Sequence, residues 1–176
     1  EIRSMKVKDE AVEVPREKDE ARYQSVVSFA LLLMHAFRIY RHTQNRRDIG
    51  SRLNDSNLNE CFSGFVETAT AAQAKEFMEC LWNVRFQFDR WVVKWVRLGG
   101  GDERTLRLST INNRSKGNGP DWRTVTQDTS DLSQLQSMRY LTGERSAQYW
   151  LTPFLGRLID SPDMKDHQVL AMLEQI

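Results

Sequence analysis

The stretch Glu76–Arg97, EFMECLWNVRFQFDRWVVKWVR, decides the fold class. On a helical wheel Phe77, Leu81, Val84, Phe88, Trp91 and Trp95 recur at alternating spacings of four and three. Glu76, Glu79, Asn83, Gln87, Arg90, Lys94 and Arg97 repeat in the same rhythm as a narrow polar stripe. Met78, Trp82, Phe86, Val92, Val93 and Val96 make the remaining circumference apolar too. A helix that is apolar around most of its girth is expected to have neighbours on several sides. The pattern predicts a long central helix at about 70–98, capped by Thr70 and terminated at Gly99-Gly100-Gly101.

Only Arg85 and Asp89 interrupt the apolar arc. Four apart, they are placed to pair on the helix surface. A catalytic carboxylate beside an anion-binding Arg is the competing reading. That chemistry needs a second acid, a His or a nucleophile, and the motif supplies none. Charges set among apolar residues are ordinarily paired for solvation, so Arg85 and Asp89 are read as a structural ion pair that tethers neighbouring helices.

Outward from this helix the chain reads as all-α, an irregular multi-helix bundle. Residues 1–20 carry seven acids and five bases around Pro15 and form a charged lead-in; 21–176 read as a single helical domain. A first helix is expected from about Glu20 to His42, then a loop over Thr43–Asn57 rich in Asn, Asp, Ser and Arg. A short helix follows from about Leu58 to Glu67, with Asn57 or Ser56 as its cap. Residues 99–130 read as one long connector, in which Thr105–Ser109 alternates like a short strand or extended segment. Ser130 or Asp131 opens a helix to about Thr142, and Ser146 opens another to about Asp160. Pro153 must kink that helix or sit in its first turn. Pro162 and Asp163 open a last helix that runs to the final residue, and the chain also begins without Met. Both ends fit a fragment of a longer protein.

The 25 basic and 24 acidic residues nearly cancel, which excludes a globally basic nucleic-acid binder. Cys61 and Cys80 belong to no CxxC or Cys/His cluster, so reduced thiols of a cytoplasmic protein are expected, without a disulfide framework or a metal site. No basic-then-apolar leader opens the sequence. The strongest apolar run, Val26–Phe37, is broken by Ser28 and His35 and is too short to span a membrane.

Two polar constellations remain. His35 and His42 lie about 10 Å apart along a helix axis, too far to share an ion, and read as a polar row. Arg38, Arg41, Arg46, Arg47 and Arg52 crowd the end of the first helix and the following loop. A basic helix end is favourable by itself, yet this density also suits contacts to a phosphate backbone. No phosphate loop, nucleophile elbow or metal-ligand motif occurs, so neither a catalytic site nor a cofactor is expected.

Two stretches together resemble a known family. In Glu76–Val96 the residues Arg85, Phe88, Asp89, Arg90, Trp91, Val92, Val93 and Lys94 are similar to an R-x-x-[FY]-D-[KR]-[YW]-[VI]-[VI]-K pattern. It occurs in large bacterial proteins related to GmrSD-type restriction endonucleases. Within Leu132–Leu158, the run Leu135-Gln136-Ser137-Met138 with Tyr140, then Gln148–Leu155 (QYWLTPFL), resembles two helices that follow in that family. The resemblance covers about residues 25–160. It implies the helical region of a phage-defence protein that joins a ParB-like nucleotide-handling domain to an HNH-type nuclease. Such enzymes are taken to cut DNA carrying modified cytosines. The acidic and Arg motifs of the first domain and the His motif of the nuclease are absent, so no family catalytic residue carries over. The expected partners are other domains of the parent protein and the DNA backbone. The alternative is a stand-alone helical protein-interaction domain without a nucleic-acid role.

Overall fold

The computed structural model of the protein describes residues 23–44, 52–97, 103–113, 122–127, 129–143 and 147–176. In chain order these form β1 (Tyr23–Ser25), α1 (Phe29–Thr43), a 3-10 turn (Asp55–Asn57), α2 (Leu58–Thr68) and α3 (Ala71–Trp91). Then come β2 (Lys94–Arg97), β3 (Arg104–Arg107), β4 (Ser109–Asn113), β5 (Trp122–Thr126), α4 (Asp131–Thr142), α5 (Leu151–Asp160) and α6 (Asp166–Glu174). Helices dominate, but the expectation of an all-α fold needs correction. Antiparallel β1-β2-β3 makes one sheet, and the antiparallel pair β4-β5 a second.

The central helix is shorter than the wheel predicts. Its start is as expected, with Thr70 and Gln73 forming a reciprocal capping box. It ends at Trp91, because Val92 turns into extended backbone at φ −101°, ψ 134°. The residues that follow, Val-Val-Lys-Trp-Val, are β-branched or aromatic and favour a pleated strand. Lys94 to Arg97 therefore pair with Arg107 to Arg104. Gly99–Gly101 lie outside the described residues. Among its described residues the 99–130 connector holds three strands, of which the Thr105–Ser109 alternation gave the one hint.

A buried amide fixes this helix-to-strand corner. Gln136 of α4 is fully buried; its Nε2 donates to Trp91 O at 2.7 Å, and its Oε1 accepts from Val93 N–H at 3.0 Å. Leaving the helix strips both backbone groups of their helical partners, and the side chain replaces them.

The first helix also begins later than predicted. Tyr23–Ser25 is a strand, and Ser28 caps α1 by accepting from Leu31 N–H at 3.0 Å while donating to Asp55 Oδ1 at 2.6 Å. Asn57 occupies the N-cap position of α2 without a capping side-chain bond; the polar cap sits earlier, where Asn54 accepts from Ser56 N–H at 3.2 Å. Ser130 caps α4 as expected. α5 starts at Leu151, which places Pro153 in its first turn, where no helical N–H is lost. The last helix starts at Asp166, after Lys165, later than the expected opening at Pro162-Asp163, and ends at Glu174.

The core forms where α1, α3 and α5 pack pairwise and α6 closes one end. Leu32, Met34 and Ala36 of α1 meet Val84 and Phe88 of α3 and Leu151, Phe154, Leu155 and Leu158 of α5 in one buried cluster. α2 buries no residue fully, but Phe62 and Phe65 reach a ring cluster with Phe37, Tyr40 and Phe77 at centroid separations from 4.4 to 6.4 Å. Such offset and edge-on pairs add to the area that they bury. Arg139 of α4 reaches across to α6, donating to Leu173 O at 2.9 Å.

Candidate functional site

Three places hold the chemistry that the sequence singles out. The first is the end of α3, where Arg85 Nε donates to Asp89 Oδ2 at 2.5 Å. Arg85 is 53% exposed and Asp89 24%, so this is a surface pair with one sheltered partner. It does not tether neighbouring helices. Lys94, placed by the wheel on the polar stripe, is the residue that does the joining: its Nζ lies 3.8 Å from Asp89 Oδ1. The same ammonium donates to Asp89 O at 2.7 Å and Ser109 O at 3.1 Å, clamping the end of α3 to β4. A cation at a helix C-terminus satisfies freed carbonyls and complements the helix dipole. Burial pushes the Lys94 ammonium below its ordinary range; Asp89 opposes that shift and Arg85 adds to it.

A recess of about 200 Å³ opens here, lined by Tyr23, Ser25, Phe88, Asp89, Lys94 and Ser109 among others. Its one carboxylate is held between two cations. Among the described residues, neither a second acid nor a His lines it, and general acid–base work with a lone paired carboxylate lacks its partner. The arrangement serves as a clamp.

The second place is the Arg-rich edge. Arg46 and Arg47 lie outside the described residues. Arg38 is half-buried with its guanidinium 5.7 Å from the Tyr149 ring centre, and Arg41 sits 5.6 Å from that of Phe37. Both charges thus lie against aromatic faces of their own fold. Arg52 is exposed. Beside them runs a groove of about 850 Å³ between α1, α3 and α5. Arg38, His42 and Arg157 line it together with Glu76, Glu79 and Asp160, so its charge is mixed. A phosphate track would be basic throughout.

The third is the histidine row, which the structure divides. His42 is exposed, whereas His35 is wholly buried with Nδ1 2.7 Å from Thr152 Oγ1. Burial, reinforced by Arg38 and opposed by a backbone hydrogen bond at Ala147, holds the His35 imidazole down to about 4. It is a neutral core polar group linking α1 to α5. Both thiols are free, and burial raises Cys80 to about 11, which makes it a poor nucleophile. Among the described residues, no cluster of three or more His, Cys, Asp or Glu is placed to hold a metal ion, and no helix is long and apolar enough to cross a membrane.

One feature of the surface was not legible from the wheel. Met78, Trp82 and Phe86, spaced by four along α3, are 59%, 76% and 57% exposed. On the open side of the central helix these three form an apolar strip between charged residues. No family model, curated protein or solved structure matches the chain, so the resemblance rests on its motif residues. Its two stretches meet in space, because Gln136 of the second holds the backbone of Trp91 and Val93 in the first.

Proposed function

We propose that this chain is a non-catalytic helical module that works by holding protein partners. The observation that carries this reading is the row Met78, Trp82 and Phe86. A contiguous exposed apolar strip on an otherwise well-packed helix marks an interaction surface. The titratable groups support it from the other side, since Asp89, Lys94 and His35 are all engaged in bonds that join elements of the fold.

The resemblance supplies a setting for such a module: a GmrSD-like phage-defence protein, in which a helical region lies between nucleotide-handling and nuclease domains. Contact of the Arg edge with a DNA backbone draws less support, because Arg38 and Arg41 already lie over Tyr149 and Phe37.

Purified chain, assayed with Mg²⁺ or Mn²⁺, duplex DNA and nucleoside triphosphates, is expected to show neither cleavage nor hydrolysis. Turnover that disappears on substituting a residue of this chain would overturn the module reading.

A further inference from the structure

We infer that the recess at the end of α3 binds a phosphate group, free or carried by a small molecule, with Lys94 and Ser109 at its floor and Arg85 at its mouth. Its volume of about 200 Å³ sets the size of the occupant. A water takes about 30 Å³ in the liquid, so one bridging water does not fill the space. Pockets for drug-sized ligands start at about 300 Å³, so the occupant is small. The side chains around it come from five elements: Tyr23 and Ser25 of β1, Arg85 of α3, Lys94 of β2, Ser109 of β4 and Thr124 of β5.

Two of these groups are short of partners. Ser109 is 1% exposed, and among the described residues its Oγ has no hydrogen-bond partner. A buried hydroxyl in that state is costly and calls for an explanation. The strand register tells which way it faces. Ser109 pairs with Thr126 and Ile111 with Thr124, so Ser109, Thr124 and Thr126 share one face of the β4-β5 pair. Thr124 lines the recess, and Thr126 Oγ1 lies 3.3 Å from the hydroxyl of Tyr23, which lines it too. That face, with the Ser109 hydroxyl on it, is therefore turned to the recess. Lys94 is the second group. Its ammonium has three donors; two go to Asp89 O and Ser109 O, while Asp89 Oδ1 at 3.8 Å is beyond hydrogen-bond reach. One donor remains for an acceptor in the recess.

Charge and donor direction choose the class of ligand. Among the described lining residues, Arg85 and Lys94 set two positive charges against the one carboxylate of Asp89, which leaves one positive charge over. Arg85 bonds Asp89 through Nε alone, so its terminal nitrogens can still donate. Ser25 Oγ accepts from Val27 N–H at 3.3 Å, and its own O–H is left to donate. Ammonium, guanidinium and hydroxyl donors thus converge from separate elements. A phosphate group offers acceptor oxygens in several directions together with the matching negative charge, and hydrogen bonds to ionised groups are the strong ones. A planar carboxylate, with two oxygens, meets fewer of these donors.

Isothermal titration of the full chain with inorganic phosphate, at an ionic strength held constant with chloride, should show saturable one-to-one binding. Ser109→Ala should weaken it about tenfold or more, the loss expected for a hydrogen bond to a charged group. The same variant should melt no lower than the wild type, because among the described residues Ser109 Oγ bonds nothing in the fold. Arg85→Ala should weaken phosphate to a similar extent. Glycerol phosphate separates the two sources: tighter binding than inorganic phosphate supports a phosphorylated small molecule, and equal or weaker binding supports the free anion. No saturable phosphate binding, or binding untouched by both substitutions, would overturn the inference. Acetate held as tightly as phosphate would also overturn it, since any basic surface would then serve. The recess is separate from the apolar strip on α3, so the module reading stands or falls on its own test.

Discussion

Helix α3 has two apolar sides with different fates. Val84 and Phe88, turned towards α1 and α5, are 0% and 1% exposed, whereas Trp82, the bulkiest residue of the middle turns, is 76% exposed. The polar stripe breaks the same rule from the other direction, since Gln87 is 4% exposed while Asn83 is in solvent. Residue type therefore does not decide which side of this helix is inside. What decides is where neighbouring elements lie, and α1 and α5 between them cover less than the full apolar arc. The uncovered part is available for a partner.

The sharpest way to break that comparison is to truncate one residue from each side. Phe88→Ala should destabilise by about 3–5 kcal/mol, the cost of removing a buried aromatic side chain and leaving a cavity. Trp82→Ala should change the stability of the monomer by no more than about 0.5 kcal/mol, as substitutions on open surface do. Urea denaturation at low protein concentration gives both numbers. Equal losses would mean that α3 turns a different side to the core.

The corner after Trp91 is the next test, because it separates helix from sheet. Gln136→Leu keeps the volume but strands Trp91 C=O and Val93 N–H in the interior, each costing about 1–3 kcal/mol. The expected loss is about 2–6 kcal/mol, the sum of the two desolvation costs. Amide exchange should show it as faster opening at Val93 than in the middle of α3. A variant as stable as the wild type would show that water or another group replaces the amide.

Much of the helical frame could be read from the sequence, and the reasons are local. Thr70 with Gln73 and Ser130 with Ser133 are capping pairs whose partners lie three residues away, and α4 keeps its expected bounds. What escaped the wheel is non-local. Val92–Val96 fits an apolar helix as readily as a strand; the choice is made by Gln136, some forty residues later, and by pairing with β3. Of the candidate sites, the Arg85–Asp89 pair follows from spacing alone. The clamp formed by Lys94 needs β4 to supply Ser109 O, and the burial of His35 needs α5 to supply Thr152. The phosphate-contact reading of Arg38 and Arg41 was weakened by Tyr149 and Phe37, and the distant Tyr149 could not be seen from the helix.

His35 supplies a test with a smaller effect and a defined pH window. Its imidazole is held at about 4 in the fold, against an ordinary value of 6.5. Between those values the unfolded chain takes up a proton that the folded chain refuses. This part of the stability is intact above 6.5 and is lost as pH falls from 6.5 towards 4. From pH 7 to 5.5, where most carboxylates remain ionised, the loss should be about 1 kcal/mol. His35→Gln should flatten that part of the profile, whatever it does to stability at pH 7. Parallel pH profiles for the two proteins would rule out a buried neutral His35.

The smallest effect is expected at Arg85, and it sets the open side of α3 against its sheltered end on a single carboxylate. Asp89 is approached by Arg85 from solvent and by Lys94 from within, where the Lys94 side chain is only 14% exposed. An exposed pair four apart on a helix contributes about 0.3–0.5 kcal/mol, and Asp89 keeps Lys94 when Arg85 is removed. Arg85→Ala should therefore lower stability by about 0.5 kcal/mol or less, and high salt should shrink even that. Lys94→Met removes charged donors from two carbonyls at the α3–β4 junction, and hydrogen bonds to charged groups contribute about 1.5–3 kcal/mol. Measured side by side in urea, the two variants should differ several-fold. Were Arg85→Ala as costly as Lys94→Met, the solvent-facing pair would be the tether that the sequence suggested, and the clamp at the sheet would be secondary.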